Sequence, residues 1–193
     1  MIEQTKIPVI TMVRPHPGGF VYTENEKTAM FHDINTFLSL GAAGIAVGAL
    51  AANGQVDTAF VSAIRKNVGE SDFVFHRAFD LLPDLVKSAS ILKDLGVDRI
   101  LTSGGRATAW EGRDTLRDLI NHFGEDLEIL PGSGISSNNA AALVEYTGCC
   151  QIHGSFSIKV TNPESYAAVL PQERVQTSSS EVRKAILLLG KNI

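Results

Sequence analysis

Cysteine is nearly missing from this chain. Its 193 residues hold two, Cys149 and Cys150, and these are adjacent. Neighbouring cysteines rarely pair with each other, so no disulfide framework is expected, and a reducing cytoplasm is the expected compartment. Excess charge is missing too. Seventeen lysines and arginines face 21 aspartates and glutamates, for a net charge of -4, and the basic residues are scattered rather than striped. A nucleic-acid partner is therefore not expected. No apolar run approaches the roughly 20 residues that span a bilayer. The opening Met1-Ile2-Glu3-Gln4-Thr5-Lys6 lacks the apolar centre of a signal peptide. Neither export nor a membrane partner is expected. The sequence has no Walker motif and no HExxH, and no GxGxxG follows Ile7–Val13. No lysine stands at a strand end before Lys159, which disfavours Schiff-base chemistry.

What is present is a regular alternation. With 44% hydrophobic and 20% charged residues, the chain reads as one globular domain over residues 1–193. Six short apolar runs recur: Ile7–Val13, Ala43–Leu50, Phe73–Phe75, Arg99–Thr102, Leu127–Leu130 and Cys150–His153. Helical spacing fills the gaps, at Glu24–Leu40, Thr58–Val68, Leu85–Leu95, Thr115–Phe123 and Asn138–Tyr146. Strands alternating with helices predict βα units and a parallel sheet. Gly41, Gly96 and Gly148 fall just past their helices, where a left-handed cap needs no Cβ. Beyond His153 the spacing predicts a short helix over Asn162–Leu170, a polar loop over Gln172–Ser180, and a last helix Val182–Leu189 opened by Ser180-Glu181. Almost every strand end is polar or glycine-rich. That makes a polar crown over an apolar body, the layout of a TIM-type β/α barrel, with six recognisable βα units. The competing doubly wound sheet would concentrate its glycines after the first strand.

The stretch Phe73-Val74-Phe75-His76-Arg77-Ala78-Phe79-Asp80 carries the most chemistry. It is apolar until its carboxyl end and then turns charged. His76 can move protons near neutral pH or bind a metal. Arg77 can hold a carboxylate or phosphate with two parallel hydrogen bonds. Asp80 can orient either. The competing reading is an Arg–Asp ion pair tying loops together, with His76 simply hydrogen-bonded inside the barrel. His153 ends the last strand. Together with Arg14 it is placed to meet His76 at one pocket, lined by Thr102 and Ser103; alternatively, these groups only satisfy one another. Trp110, after a glycine-rich loop, reads as a lid or as packing. His32 and Asp33 read as helix surface.

Six blocks together resemble one family. The segment Arg14-Pro15-His16-Pro17-Gly18-Gly19-Phe20-Val21-Tyr22 resembles the "RPRGGDFxY" block of the CutC family, named for copper homeostasis. Gly44–Leu50 with Gly54–Asp57, Phe75–Asp80, Asp98–Gly104, Gly132–Ile135 and Gln151–Gly154 continue in that family's order, over about residues 7–158. The resemblance implies a TIM-type barrel and a role in copper homeostasis, with Cu(I) as a candidate ligand. Family members begin with two further βα units that bear cysteines, and this sequence starts near the third strand. An incomplete barrel is the expectation. The gap would be filled by the C-terminal segment, a rearranged sheet or another copy in a homo-oligomer. The resemblance also makes the loops at Gly132-Ser133-Gly134 and Ser155 those that hold phosphate in such barrels. Arg14, Thr102, Ser103, Gly132, Gly134 and Ser155 are accordingly the candidate anion-binding residues. His76, Arg77, Asp80 and His153 are the candidate catalytic ones. For copper, the donors are Cys149, Cys150 and His153, although strand alternation puts Cys150 out of phase with His153. The functional readings are a copper-homeostasis protein, an enzyme acting on a small anionic or phosphorylated metabolite, and a scaffold or regulatory remnant that has lost its pocket.

Overall fold

A computed structural model describes residues 2–161 and 173–190. After a 3-10 turn at Ile2–Gln4, strand β1 (Ile10–Met12) leads to helix α1 (Glu24–Ser39). Then come β2 (Gly44–Val47), α2 (Thr58–Val68), β3 (Asp72–Phe75), a 3-10 turn at Arg77–Leu81, and α3 (Leu85–Asp94). They are followed by β4 (Arg99–Thr102), α4 (Arg113–Phe123), β5 (Glu128–Pro131) and α5 (Ala140–Thr147). A hairpin of β6 (Ser157–Thr161) and β7 (Glu173–Thr177) precedes α6 (Ser179–Leu189).

The local chemistry explains the helix starts. Thr23 and Glu26 form a reciprocal cap on α1, with Glu26 Oε2 accepting from the Thr23 N–H at 2.7 Å. Asp57 accepts from the Phe60 N–H at 3.1 Å to start α2, and Asp84 accepts from the Lys87 N–H at 2.9 Å to start α3. Gly41, at φ +87°, turns the chain out of α1 in a conformation that other residues rarely adopt.

Strands β1 to β5 are all parallel and lie in chain order. A doubly wound sheet reverses its order at a switch point, and this one never does. Among the described residues it is a run of five barrel-type βα strands. Side-chain alternation gives the sheet two different faces. Ile45, Phe73, Phe75, Ile100 and Ile129 pack with Met30, Ile34, Phe60, Ile64, Leu92, Leu116 and Leu119 of the helices in the main core. Fully burying each such side chain stabilises by about 1.5–3 kcal/mol. Ala46, Val74 and Leu101, with Ile10 and Leu130, form a much smaller cluster on the other face. That face corresponds to a barrel interior. Following the same alternation upward from Met12, Ala46, Val74 and Leu130 leads to Arg14, Gly48, His76 and Gly132.

Several expectations need correction. The sixth strand, expected over Cys150–His153, is a single bridge between His153 and Gly132, held by the His153 N–H donating to the Pro131 carbonyl at 2.8 Å. β1 is shorter than the run Ile7–Val13, since Pro8 cannot donate to a ladder and Ile7 is exposed. The polar stretch taken as a loop over Gln172–Ser180 contains β7. A two-stranded ribbon needs backbone pairing rather than an apolar face, so polar residues conceal it; Lys159 and Glu173 pair across it at 2.9 Å. Ser178, not Ser180, caps α6, and α5 starts at Ala140, two residues after the expected Asn138. The helix expected at Asn162–Leu170 falls outside the described residues.

Candidate functional site

A cavity of about 710 Å³ opens at the carboxyl ends of the strands. Arg14, His76, Arg77, Asp80, Gly134, His153 and Ser155 all line it, although they span 142 positions of sequence from 14 to 155. Parallel strands deliver them there, because every strand of such a sheet ends on the same side. Gly132 sits just below, its N–H donating to the Thr102 carbonyl at 2.9 Å.

His76 is the most constrained of these residues. It is 3% exposed, and its Nδ1 accepts from the Ala78 N–H at 3.2 Å. That bond leaves the proton on Nε2, and Nε2 is buried with no hydrogen-bond partner among the described residues. Burial pushes its pKa down to about 4, and the Arg14 charge adds to the effect. The imidazole is therefore neutral at pH 7, with a buried N–H in a residue that lines the cavity. Its seat depends on Gly48, where any Cβ would overlap the ring. Phe20 packs on it with centroids 5.1 Å apart.

Arg14 lies with its guanidinium 4.6 Å from the centre of the Phe20 ring and donates to the carbonyls of Pro17 (3.1 Å) and Gly18 (2.7 Å). Arg77 is tied through Nε to Asp80 at 2.7 Å, and Nη2 donates to Ser103 Oγ at 3.0 Å. Asp80 is a hub. It also accepts from Thr102 Oγ1 (2.5 Å), from the Ser103 N–H and Oγ (3.0 Å each), and from the Gly105 N–H (3.0 Å). Its carboxylate is saturated with donors and serves to fix Arg77. Thr102 and Ser103 are completely buried behind it rather than lining the cavity as expected. They lock the hub.

His153 is exposed, but enough protein packs against its ring for desolvation to lower its pKa. Around the Ser133–Ser136 turn, Asn139 Oδ1 already accepts from the Ser136 N–H at 2.8 Å, so part of the expected anion cradle is occupied by the protein itself. Cys149 is buried and Cys150 exposed. Neither reaches the cavity, and burial pushes the Cys149 thiol pKa up, away from the thiolate form. Among the described residues, no group of three or more His, Cys, Asp or Glu side chains is placed to hold a metal ion. Trp110 is stacked with Arg113 at 4.8 Å, away from the cavity.

Sequence reasoning missed Met12, Phe20, Leu101, Phe156 and Glu181, which also line the cavity. Phe20 had a signal, in the Gly18-Gly19-Phe20 segment beside Arg14. Glu181 had none, since an acid in the first turn of a helix is ordinary.

The comparisons with known proteins agree with this geometry. The family model described as the CutC family matches residues 1–158. A family protein CutC from Treponema denticola is 39% identical over 151 residues, covering 78% of this chain. The chain spans 61% of that relative's length. A family protein CutC from Caulobacter vibrioides is 36% identical over 191 residues, covering 95% of this chain and 77% of the relative. The crystal structure of a CutC protein from Streptococcus agalactiae superposes with a TM-score of 0.75 at 30% identity, covering 79% of this chain and 75% of that one. No described helix is long and apolar enough to cross a membrane. An open run of parallel βα units, with the motif-bearing loops gathered at one end, is how this sequence folds; the chain belongs to the CutC family.

Proposed function

We propose that the strand-end cavity binds a small anionic metabolite. The observation that carries this reading is that His76, Arg14 and Arg77 line one cavity, with the His76 Nε2–H buried and unpartnered among the described residues. A buried polar group without a partner costs about 1–3 kcal/mol, and a ligand oxygen accepting from it recovers that cost. Arg14 and Arg77 supply positive charge, and Asp80 holds Arg77 in place. His76, neutral over the physiological range, acts as a hydrogen-bond donor rather than as a base. His153, on the open side of the cavity, is the group placed to exchange protons.

The CutC protein of Streptococcus agalactiae is named for copper homeostasis, and we extend that role to this chain. That role need not include a tight copper site, since no group of three or more His, Cys, Asp or Glu side chains gathers among the described residues. Cu(I) prefers thiolate, thioether or imidazole donors, and this reading expects no affinity tighter than micromolar in a Cu(I) titration of the reduced protein.

The test of the anion reading is calorimetric titration with inorganic phosphate and with small carboxylates. Saturable binding is expected, weakened about 10- to 150-fold by His76→Ala, since hydrogen bonds to charged groups contribute about 1.5–3 kcal/mol. Arg14→Gln, at an exposed position, provides a second variant. Wild-type protein that binds none of these anions overturns the reading.

A further inference from the structure

The cavity has a second pole. Glu181, in the first turn of α6, lines it from outside the segment that matches the family model. Its Oε2 accepts a hydrogen bond from Ser137 Oγ, which fixes the carboxylate beside the turn that follows β5. Its own N–H is capped by Ser178 Oγ at 3.4 Å. Among the described residues Glu181 makes no ion pair, although Lys184 is three positions away; Lys184 instead donates to Asn138 Oδ1 at 2.9 Å. The positive groups lie elsewhere on the rim. Arg14 follows β1 at the far edge of the sheet, and His76 and Arg77 follow β3 in the middle.

The sheet order therefore separates the charges. Cationic and N–H donors sit above β1 and β3, and an uncompensated carboxylate sits above β5. A simple anion satisfies the first set and is repelled by the second. A ligand carrying both charges satisfies both.

Resting on the anion reading above, we propose that the ligand is a small zwitterion. Its carboxylate or phosphate is bound by Arg14, Arg77 and His76 Nε2–H, and its ammonium by Glu181. Amino acids and phosphorylated amino alcohols have this chemistry. Glu181 is then a specificity-determining residue, supplied by the C-terminal helix rather than by the strand-end motifs.

The experiment uses matched pairs that differ only in ammonium against hydroxyl: L-serine with L-glycerate, and phosphoethanolamine with 2-hydroxyethyl phosphate. Each is titrated calorimetrically into the full chain and into Glu181→Gln, which retains an acceptor for Ser137. The wild type is expected to prefer at least one ammonium compound over its hydroxyl partner by about tenfold or more. Glu181→Gln is expected to erase that preference while leaving hydroxyl-compound affinity equal or higher. Hydroxyl partners binding the wild type as tightly as the ammonium compounds would overturn the zwitterion proposal and leave the anion reading standing. A preference that survives in Glu181→Gln would overturn the role of Glu181. Absence of binding by all four compounds would remove both readings together.

Discussion

Replacing Asp80 by alanine removes the acceptor on which the strand-end hydrogen-bond network converges. The carboxylate is 7% exposed and accepts from the Arg77 guanidinium, the Thr102 hydroxyl, the Ser103 N–H and hydroxyl, and the Gly105 N–H. Thr102 and Ser103 are fully buried, so water does not readily replace the lost acceptor. Each hydrogen bond to a charged group contributes about 1.5–3 kcal/mol, but a shared hub is not additive. Arg77 is half exposed and water can solvate it, so the cost falls on the buried Thr102 and Ser103 donors, about 1–3 kcal/mol for each left unsatisfied, and about 3–5 kcal/mol in total is the magnitude expected for Asp80→Ala. Against a total stability of about 5–15 kcal/mol the loss is large. With a urea slope of about 2 kcal/mol per molar, the unfolding midpoint falls by roughly 2 M. Asp80→Asn keeps one acceptor oxygen and should fall between. Asp94, exposed on α3, is the control, and Asp94→Asn should move the midpoint little. An Asp80→Ala midpoint within about 0.3 M of wild type, under 1 kcal/mol at that slope, would show that the donors find other partners and that the hub does not hold the crown.

Three further outcomes are expected. The pKa of His76 lies near 4 in the fold and about 6.5 unfolded. Between those values the unfolded chain takes up a proton that the fold refuses. Stability should fall with falling pH, by at most roughly 3 kcal/mol once pH is below 4. Above pH 6.5 the residue contributes no slope, and urea titrations of His76→Gln should lack its contribution throughout. Gly48→Ala puts a methyl group into the imidazole; overpacking of this kind costs about 1–3 kcal/mol, and it should displace His76 and weaken phosphate binding. A wild-type-like histidine NMR signal in that variant would refute the packing argument. Thiol labelling of the native protein should show one fast site, lost in Cys150→Ser, with Cys149 reacting only on unfolding; two fast thiols would contradict the assigned burial.

The sheet was legible because its signals are local. Phe73, Phe75, Ile100 and Ile129 are apolar, closely spaced and bounded by turns, and their strands fall within a residue or two of the expected positions. The helices followed from Met30, Ile34, Phe60, Ile64, Leu116 and Leu119 at helical spacing. The meeting of Arg14, His76, Arg77 and His153 followed from topology alone. What stayed hidden depends on partners distant in sequence. Thr102 and Ser103 read as pocket lining, yet Asp80, more than twenty positions earlier, takes their hydrogen bonds and stands between them and the cavity. Glu181 reaches the cavity through Ser137, 44 positions away. β7 consists of Glu173-Arg174-Val175-Gln176-Thr177, whose composition resembles a loop until β6 supplies its pairing.

Among the described residues, β1 has a strand on one side alone, and it is short. β1 offers three residues, with Pro8 and Pro15 close on either side. Proline has no amide hydrogen, so a foreign strand arriving there would zip only briefly before running out of donors. That edge is in this way a poor template for a foreign strand.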